Sequence, residues 1–192
     1  VANRSYLYTT SFAPDGDAPR TPADRVSGIS EWPYAIPLVF RILVSADPRP
    51  CRSLIWTDHP DPIAISARCA PGIDRLGRFL ARIDHPSLGS SADDAMTFLR
   101  EHTEPDGWFV LECGEIFDMD DEPLGDQNTR TIGELADIDT EIEATLAGLA
   151  PTKPNFWQRI FGPAPESVEA PIRELGLGYW SDTLYFDLGD RR

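Results

Sequence analysis

This sequence has little of what nucleic-acid binding, membrane insertion or a standard active centre requires. Its 192 residues hold 17 Lys and Arg against 32 Asp and Glu, a net charge of -15. Phosphate backbones need a basic footprint, so the balance argues against nucleic acid as a partner and equally against docking on anionic lipid. No apolar run approaches the ~20 residues that span a bilayer. The opening Val1-Ala-Asn-Arg-Ser-Tyr6 lacks the basic and apolar regions of a signal peptide. Cys51, Cys69 and Cys113 are odd in number and far apart, with no CxxC pair, so neither a disulfide framework nor a zinc knuckle is suggested. Unpaired thiols suit a reducing compartment, and a cytoplasmic location is the expectation.

The signatures of chemistry are missing too. There is no GxSxG elbow, HExxH pair, GxxxxGK[ST] phosphate cradle or GxGxxG turn. His59, His85 and His102 each fall near a loop or helix end without ligand spacing. Asp118, Asp120 and Glu122 resemble the start of a calcium loop, but the position needing Gly is Pro123 and the position needing a bidentate Glu is Thr129. Cys113 sits beside Glu112, whose charge disfavours a thiolate, and reads as a small buried packing residue. Nothing in the Glu112–Glu115 spacing marks one as acid and the other as base. No catalytic residue, metal ligand or cofactor is assigned.

What the chain does have is acid in one place. Between Glu104 and Leu149, fourteen Asp and Glu face Arg130 alone, which leaves thirteen of the fifteen excess negative charges there. The focus is Trp108-Phe-Val-Leu-Glu-Cys-Gly-Glu-Ile-Phe-Asp-Met119. Six β-forming residues, Trp108–Cys113, read as a buried strand, and Gly114 punctuates it. Glu115, Asp118, Asp120, Asp121 and Glu122 follow within eight positions.

The remaining elements follow from periodicity and turn chemistry. Strands are expected at Arg4–Thr10, Ser53–Thr57, Ile63–Arg68 and Thr183–Phe186, with the Asp58–Pro62 turn closing a hairpin between the middle two. Ser11–Ser27 is Pro-, Asp- and Gly-rich and reads as a loop. Leu38–Val44 is apolar nearly all round, as in a helix buried on most faces, with a strand as the competing assignment and Asp47–Pro50 ending the element. Pro71 and Gly72 open a helix to about Asp84, with Arg75, Arg78 and Arg82 as a stripe off its buried face. That stripe is read as a solvated face or an internal partner for the acidic region ahead of an anion site. Ser91 is the expected N-cap of a helix reaching His102. Asp118–Asn128 reads as a loop. Thr131 and Glu134 then form a capping box, T-x-x-E, opening a helix that ends before Pro151. The whole is expected to be one α+β domain over 1–192, a mostly antiparallel sheet against three or four helices. A proline-rich segment at 151–171 carries Phe156, Trp157 and Phe161 as a lid on the core.

Three stretches, Ala2-Asn-Arg-Ser-Tyr-Leu-Tyr8, Ser30-Glu-Trp-Pro-Tyr-Ala-Ile-Pro-Leu-Val39 and Leu111-Glu-Cys-Gly-Glu-Ile-Phe-Asp-Met119, together resemble a family of uncharacterised bacterial proteins with an ANRSYLY-like first strand. The resemblance covers most of residues 2–124 and implies no activity.

The functional expectation is a non-enzymatic acidic binding protein, an immunity-type protein in its most concrete form, facing a basic protein partner. Glu115, Asp118, Asp120, Asp121, Glu122, Glu134, Asp137 and Glu141 supply the charge, and opposite charge speeds encounter and suppresses wrong partners. Trp32 and Tyr34, beside Glu31, suit a recognition site, with anchoring of the following helix as the rival role. Two alternatives differ in class. An enzyme would place Glu112, Glu115 or Asp118 in a cleft beside Gly114. A regulatory or structural subunit would expose the aromatic patch of residues 156–161.

Overall fold

The computed structural model describes residues 2–14, 21–149 and 169–188. Its centre is one α+β sheet of five strands, β1 Arg4–Thr10, β2 Val26–Pro33, β3 Arg49–Cys51, β4 Ala64–Arg68 and β5 Trp108–Glu112. They run in the order β2-β1-β5-β4-β3, every neighbour antiparallel. The all-buried sequence of β5 follows from its place, flanked by β1 and β4 and covered on both faces. Alternation sends Phe109 and Leu111 to one face, beside Leu7, Ile65 and Ala67. Val110 goes to the other, beside Tyr6, Tyr8 and Ala64.

The first face carries the helices α1 Leu38–Val44, α2 Cys69–Leu80, α3 Ser91–His102, α5 Leu124–Leu135 and α6 Ile138–Leu149. A single turn, α4 Gly114–Phe117, follows β5, and α7 Glu169–Glu174 comes late in the chain. The second face has no long helix among the described residues. Leu54 from the β3–β4 connection and Leu184 and Leu188 from the last described stretch cover it instead. Each such side chain removed from water contributes about 1.5–3 kcal/mol.

That arrangement corrects two expected strands. Ser53–Thr57 and Thr183–Phe186 are apolar because they lie over the sheet, and neither belongs to it. The ladder positions belong to β3 and β2. The Leu38–Val44 element does end ahead of Asp47–Pro50, and the last two of those residues, Arg49 and Pro50, also open β3, an edge strand where a residue lacking an N–H is tolerated. The hairpin turn widens to the whole connection from Arg52 to Ile63. The loop expected to Ser27 gives way to β2 at Val26. Its register slips between Leu7 and Tyr8, leaving Ile29 as the bulged residue. Gly28 is required there, because an added Cβ would lie 2.7 Å from the Asp182 carbonyl oxygen crossing above it.

The helices need smaller corrections. Pro37 precedes α1 as its N-cap, and six of the seven α1 residues are buried, so the helix reading of that run holds. The helix expected from Pro71 to Asp84 begins at Cys69, and Gly72 lies inside it against α1. The N-cap of α3 is Ser90, one residue early, with its hydroxyl donating to Asp94 at 2.9 Å. The capping box at Thr131 is overturned. Thr131 lies within α5 and donates its hydroxyl to the Gln127 carbonyl at 2.9 Å, one turn back. The Asp118–Asn128 loop accordingly shortens, and the long helix breaks at Ala136–Asp137 into α5 and α6. The 151–168 stretch with Phe156, Trp157 and Phe161 lies outside the described residues. No helix among the described residues is long and apolar enough to cross a membrane.

Two glycines separate packing from propensity. A Cβ on Gly72 would lie 2.0 Å from the Leu43 carbonyl oxygen of α1, whereas one on exposed Gly133 of α5 meets nothing within 4 Å. Gly72→Ala is expected to cost about 2 kcal/mol or more by forcing α1 and α2 apart. Gly133→Ala is expected to stabilise by about 0.5–1 kcal/mol through helix propensity. Chemical denaturation of both variants checks the pair of signs.

Candidate functional site

The end of β5 distributes its carboxylates into three environments. Glu112 is fully buried on the second sheet face, where Tyr6 and Ala64 are its cross-strand partners. Its Oε2 accepts the Ser53 hydroxyl at 2.7 Å and its Oε1 accepts the Leu54 amide at 2.5 Å. The Ser53 oxygen already accepts the Ile55 and Trp56 amides, at 3.1 and 2.8 Å, so its one proton points to Glu112. The carboxylate thereby clasps the chain that covers this face. Burial pushes the Glu112 pKa up to about 7 against the three hydrogen bonds that favour the charged form. The same burial, with Glu112 alongside, pushes the Cys113 thiol well up, in keeping with a packing role.

Glu115 stands one turn further on. Its Oε2 accepts the Arg4 backbone N–H at 2.9 Å and the Tyr6 hydroxyl at 3.0 Å. Arg4 reaches Glu31 at 3.4 Å and lies over the Tyr185 ring at 5.7 Å, and Glu31 accepts the Tyr185 amide at 2.9 Å. Burial raises the Tyr6 phenol pKa strongly, and Glu115 adds to the effect. The first strand, the Glu31 segment and the Glu115 segment, which are far apart in sequence, thus meet at one polar cluster.

The third environment is the turn after α4. Asp118, Asp120 and Asp121 are exposed, as is Met119 between them. The turn is held in shape. The buried Gln127 amide donates to the Phe117 carbonyl at 2.8 Å and the Glu122 carbonyl at 2.7 Å, spanning both its ends. Glu122 is paired with Arg130. Asp61 of the β3–β4 connection lies against Gly125, which extends the acidic face. Asn128, also buried, donates to the Pro62 and Ala64 carbonyls at 2.9 and 3.1 Å and fixes that connection to α5. Sequence reasoning missed Gln127 and Asn128. A polar pair inside an amphipathic helix, where its apolar face should be, was the available signal.

The other expected partner-binding residues separate. Glu134 is exposed, 4.0 Å from Arg130. Asp137 is exposed at the α5–α6 break. On α6, Glu141 pairs with Arg41 of α1, Asp139 with Arg75 at 2.6 Å, and Glu143 with Arg82 through two bonds of 2.6 and 2.7 Å. Arg75 and Arg82 thus act as internal partners for the acidic region, and Arg82 holds the Glu143 carboxyl below its usual range. Trp32 faces the helix side of the sheet, packs against the core and meets Tyr179 edge-on at 5.5 Å. Tyr34, past the strand end, is 63% exposed with φ 61°.

Glu112, Glu115 and Asp118 line neither of two surface cavities of the described residues. An added Cβ on Gly114 would lie 2.6 Å from the Trp56 ring, so that ring occupies the place where a cleft beside Gly114 would open. Two surface cavities, of about 650 and 310 Å³, lie elsewhere, between α2 and α6 and beside α7. No group of three or more His, Cys, Asp or Glu that could hold a metal ion occurs among the described residues.

Glu112 makes stability depend on pH in a definite direction. Its folded pKa lies above its unfolded value of 4.5, so folding favours the protonated form. The stability is full below about pH 4.5 and falls as pH rises to about 7, by the order of 3 kcal/mol. Glu112→Gln offers one acceptor to two donors, Leu54 N–H and Ser53 O–H, and loses a bond whichever way it turns. The wild-type advantage over E112Q is expected to shrink between about pH 5 and pH 8 in urea denaturation. A constant difference refutes this account. Tyr34 gives a second prediction. Its left-handed backbone is strained for a bulky residue, and its ring is mostly exposed. Tyr34→Gly is expected to stabilise by about 1 kcal/mol, read from the denaturation midpoint.

No curated protein and no solved structure matches this chain. A family model described as a domain of unknown function, DUF7822, matches residues 11–152, a span holding β2 through α6 and the acidic turn, and the chain belongs to that family.

Proposed function

We propose that this chain is a non-enzymatic cytoplasmic binding protein whose acidic turn receives a basic protein partner, in the manner of an immunity-type protein. The supporting observation is the difference between its two sets of carboxylates. Those of α6 are paired with arginines of α1, α2 and the turn after α2. Asp118, Asp120 and Asp121 stand exposed on a turn that Gln127 braces from beneath. A fixed, exposed anionic surface raises the encounter rate with a cationic partner and loses little entropy when it docks. Exposed Met119, in the middle of the turn, supplies a deformable apolar contact.

Affinity capture from host lysate at low and high salt, with Asp118→Asn/Asp120→Asn/Asp121→Asn alongside wild type, tests the proposal. Wild type is expected to retain a protein of pI above about 9 at low salt and release it at high salt. The triple variant is expected to lower its association rate about tenfold at low salt with unchanged thermal stability. Recovery of no basic protein at either salt, or equal recovery by the variant, overturns it.

A further inference from the structure

The open groove between α2 and α6, about 650 Å³, contradicts the charge of the molecule around it. Its walls carry Arg75, Arg78 and Arg82, in a protein with only 17 basic side chains against 32 acidic ones. Spacings of three and four residues put the three guanidinium groups on one side of α2 and of the turn that closes it, within about 10 Å along the axis. Arg75 and Arg82 have partners on α6, Asp139 and Glu143. Arg78, midway between them, is exposed and makes no hydrogen bond or ion pair among the described residues. Joining α6 to α2 therefore uses the outer two arginines and leaves the middle one facing the groove. Buried Phe79 and Ile142 also line it, with Pro71 and Ala46. The volume is that of an ordinary small-molecule site, with cationic and apolar walls.

We propose that this groove binds a small organic anion, its phosphate or carboxylate head on Arg78 and its apolar body against Phe79 and Ile142. Asp139 and Glu143 are exposed, with side chains 78% and 61% accessible, so their ion pairs exchange readily for a ligand oxyanion. On binding, Arg75 and Arg82 turn from α6 toward the head, forming the bidentate bonds that guanidinium groups give oxyanions. Asp74, also on the groove wall, disfavours a second anionic group on the ligand, so one head and an apolar body fit best. This site is independent of the acidic turn and stands or falls separately from it.

Isothermal titration of the full chain with phenyl phosphate, benzoate and inorganic phosphate tests the assignment. Saturable binding of phenyl phosphate or benzoate is expected, the tighter of the two naming the head group, with inorganic phosphate weaker than phenyl phosphate. Arg78→Gln, at an exposed position, is expected to lower that affinity about tenfold while leaving the unliganded melting temperature unchanged. Asp139→Asn/Glu143→Gln frees the outer arginines and is expected to tighten binding severalfold, which a purely structural role for the ion pairs would not produce. Absence of saturable binding to wild type and to the double variant overturns the proposal. So does binding that Arg78→Gln leaves intact, or inorganic phosphate binding as tightly as phenyl phosphate.

Discussion

The rest of the molecule depends on β5 being buried on both faces at once. A strand in that position must be paired on both edges and covered above and below, and each demand draws in another part of the chain. β1 and β4 satisfy its edges in a register that aligns Tyr6, Glu112 and Ala64. Helices cover the side of Phe109 and Leu111. The side of Val110 is left to irregular chain, and irregular chain brings unpaired amides to a place without water. Glu112 answers that need. A carboxylate there accepts the Leu54 amide and the Ser53 hydroxyl, and Ser53 passes the same service to Ile55 and Trp56. A buried acid without an arginine is therefore explicable as the acceptor for a connection that forms no ladder of its own. Its cost is desolvation, which is why its pKa rises when its hydrogen bonds alone would lower it.

The same two-sided burial decides which elements were legible in the sequence. Arg4–Thr10 has the bounds expected, and Trp108–Cys113 and Ile63–Arg68 each lose one residue. These strands carry core on both faces and are buried almost throughout. Ser53–Thr57 and Thr183–Phe186 looked the same because covering a sheet and belonging to one both demand Leu, Ile and aromatic side chains. Composition reports burial, and only backbone pairing separates the two cases. β2 was hidden for the converse reason. As an outer strand it mixes Ser, Gly and Glu with Ile and Trp, and its bulge breaks the alternation that would have marked it. At Thr131 the capping signal was real as a pattern, but Thr and Glu at that spacing also suit a helix interior when the hydroxyl bonds the preceding turn.

The candidate site was legible as composition and illegible as electrostatics. Counting acids between Glu104 and Leu149 treats them as one reservoir, whereas the fold divides them by what packs nearby. α6 lies beside α1 and α2, so Asp139, Glu141 and Glu143 find Arg75, Arg41 and Arg82 from segments that a linear count assigns elsewhere. On the turn after α4, Asp118, Asp120 and Asp121 are exposed and form no ion pair among the described residues, although Arg130, bonded to Glu122, lies close enough to feel the charge of Asp120. Charge excess over a window of sequence therefore overstates the charge available to a partner wherever helices from different windows pack together.

That division also gives the arginine stripe its meaning. A protein this acidic does not need cations for solubility, so a row of three on α2 and the turn that closes it calls for a local cause. Two of them have it in α6. The exposure of such pairs leaves each contributing little to stability, so their value lies more in fixing the position of α6 than in holding the fold together. A seam held by weak, exchangeable ion pairs around an apolar floor is easily rearranged by a competing anion. The turn beyond α4, braced through the buried side-chain amide of Gln127, is not. One protein thus carries a rigid anionic surface and a pliable cationic groove, built from neighbouring helices by different bonds.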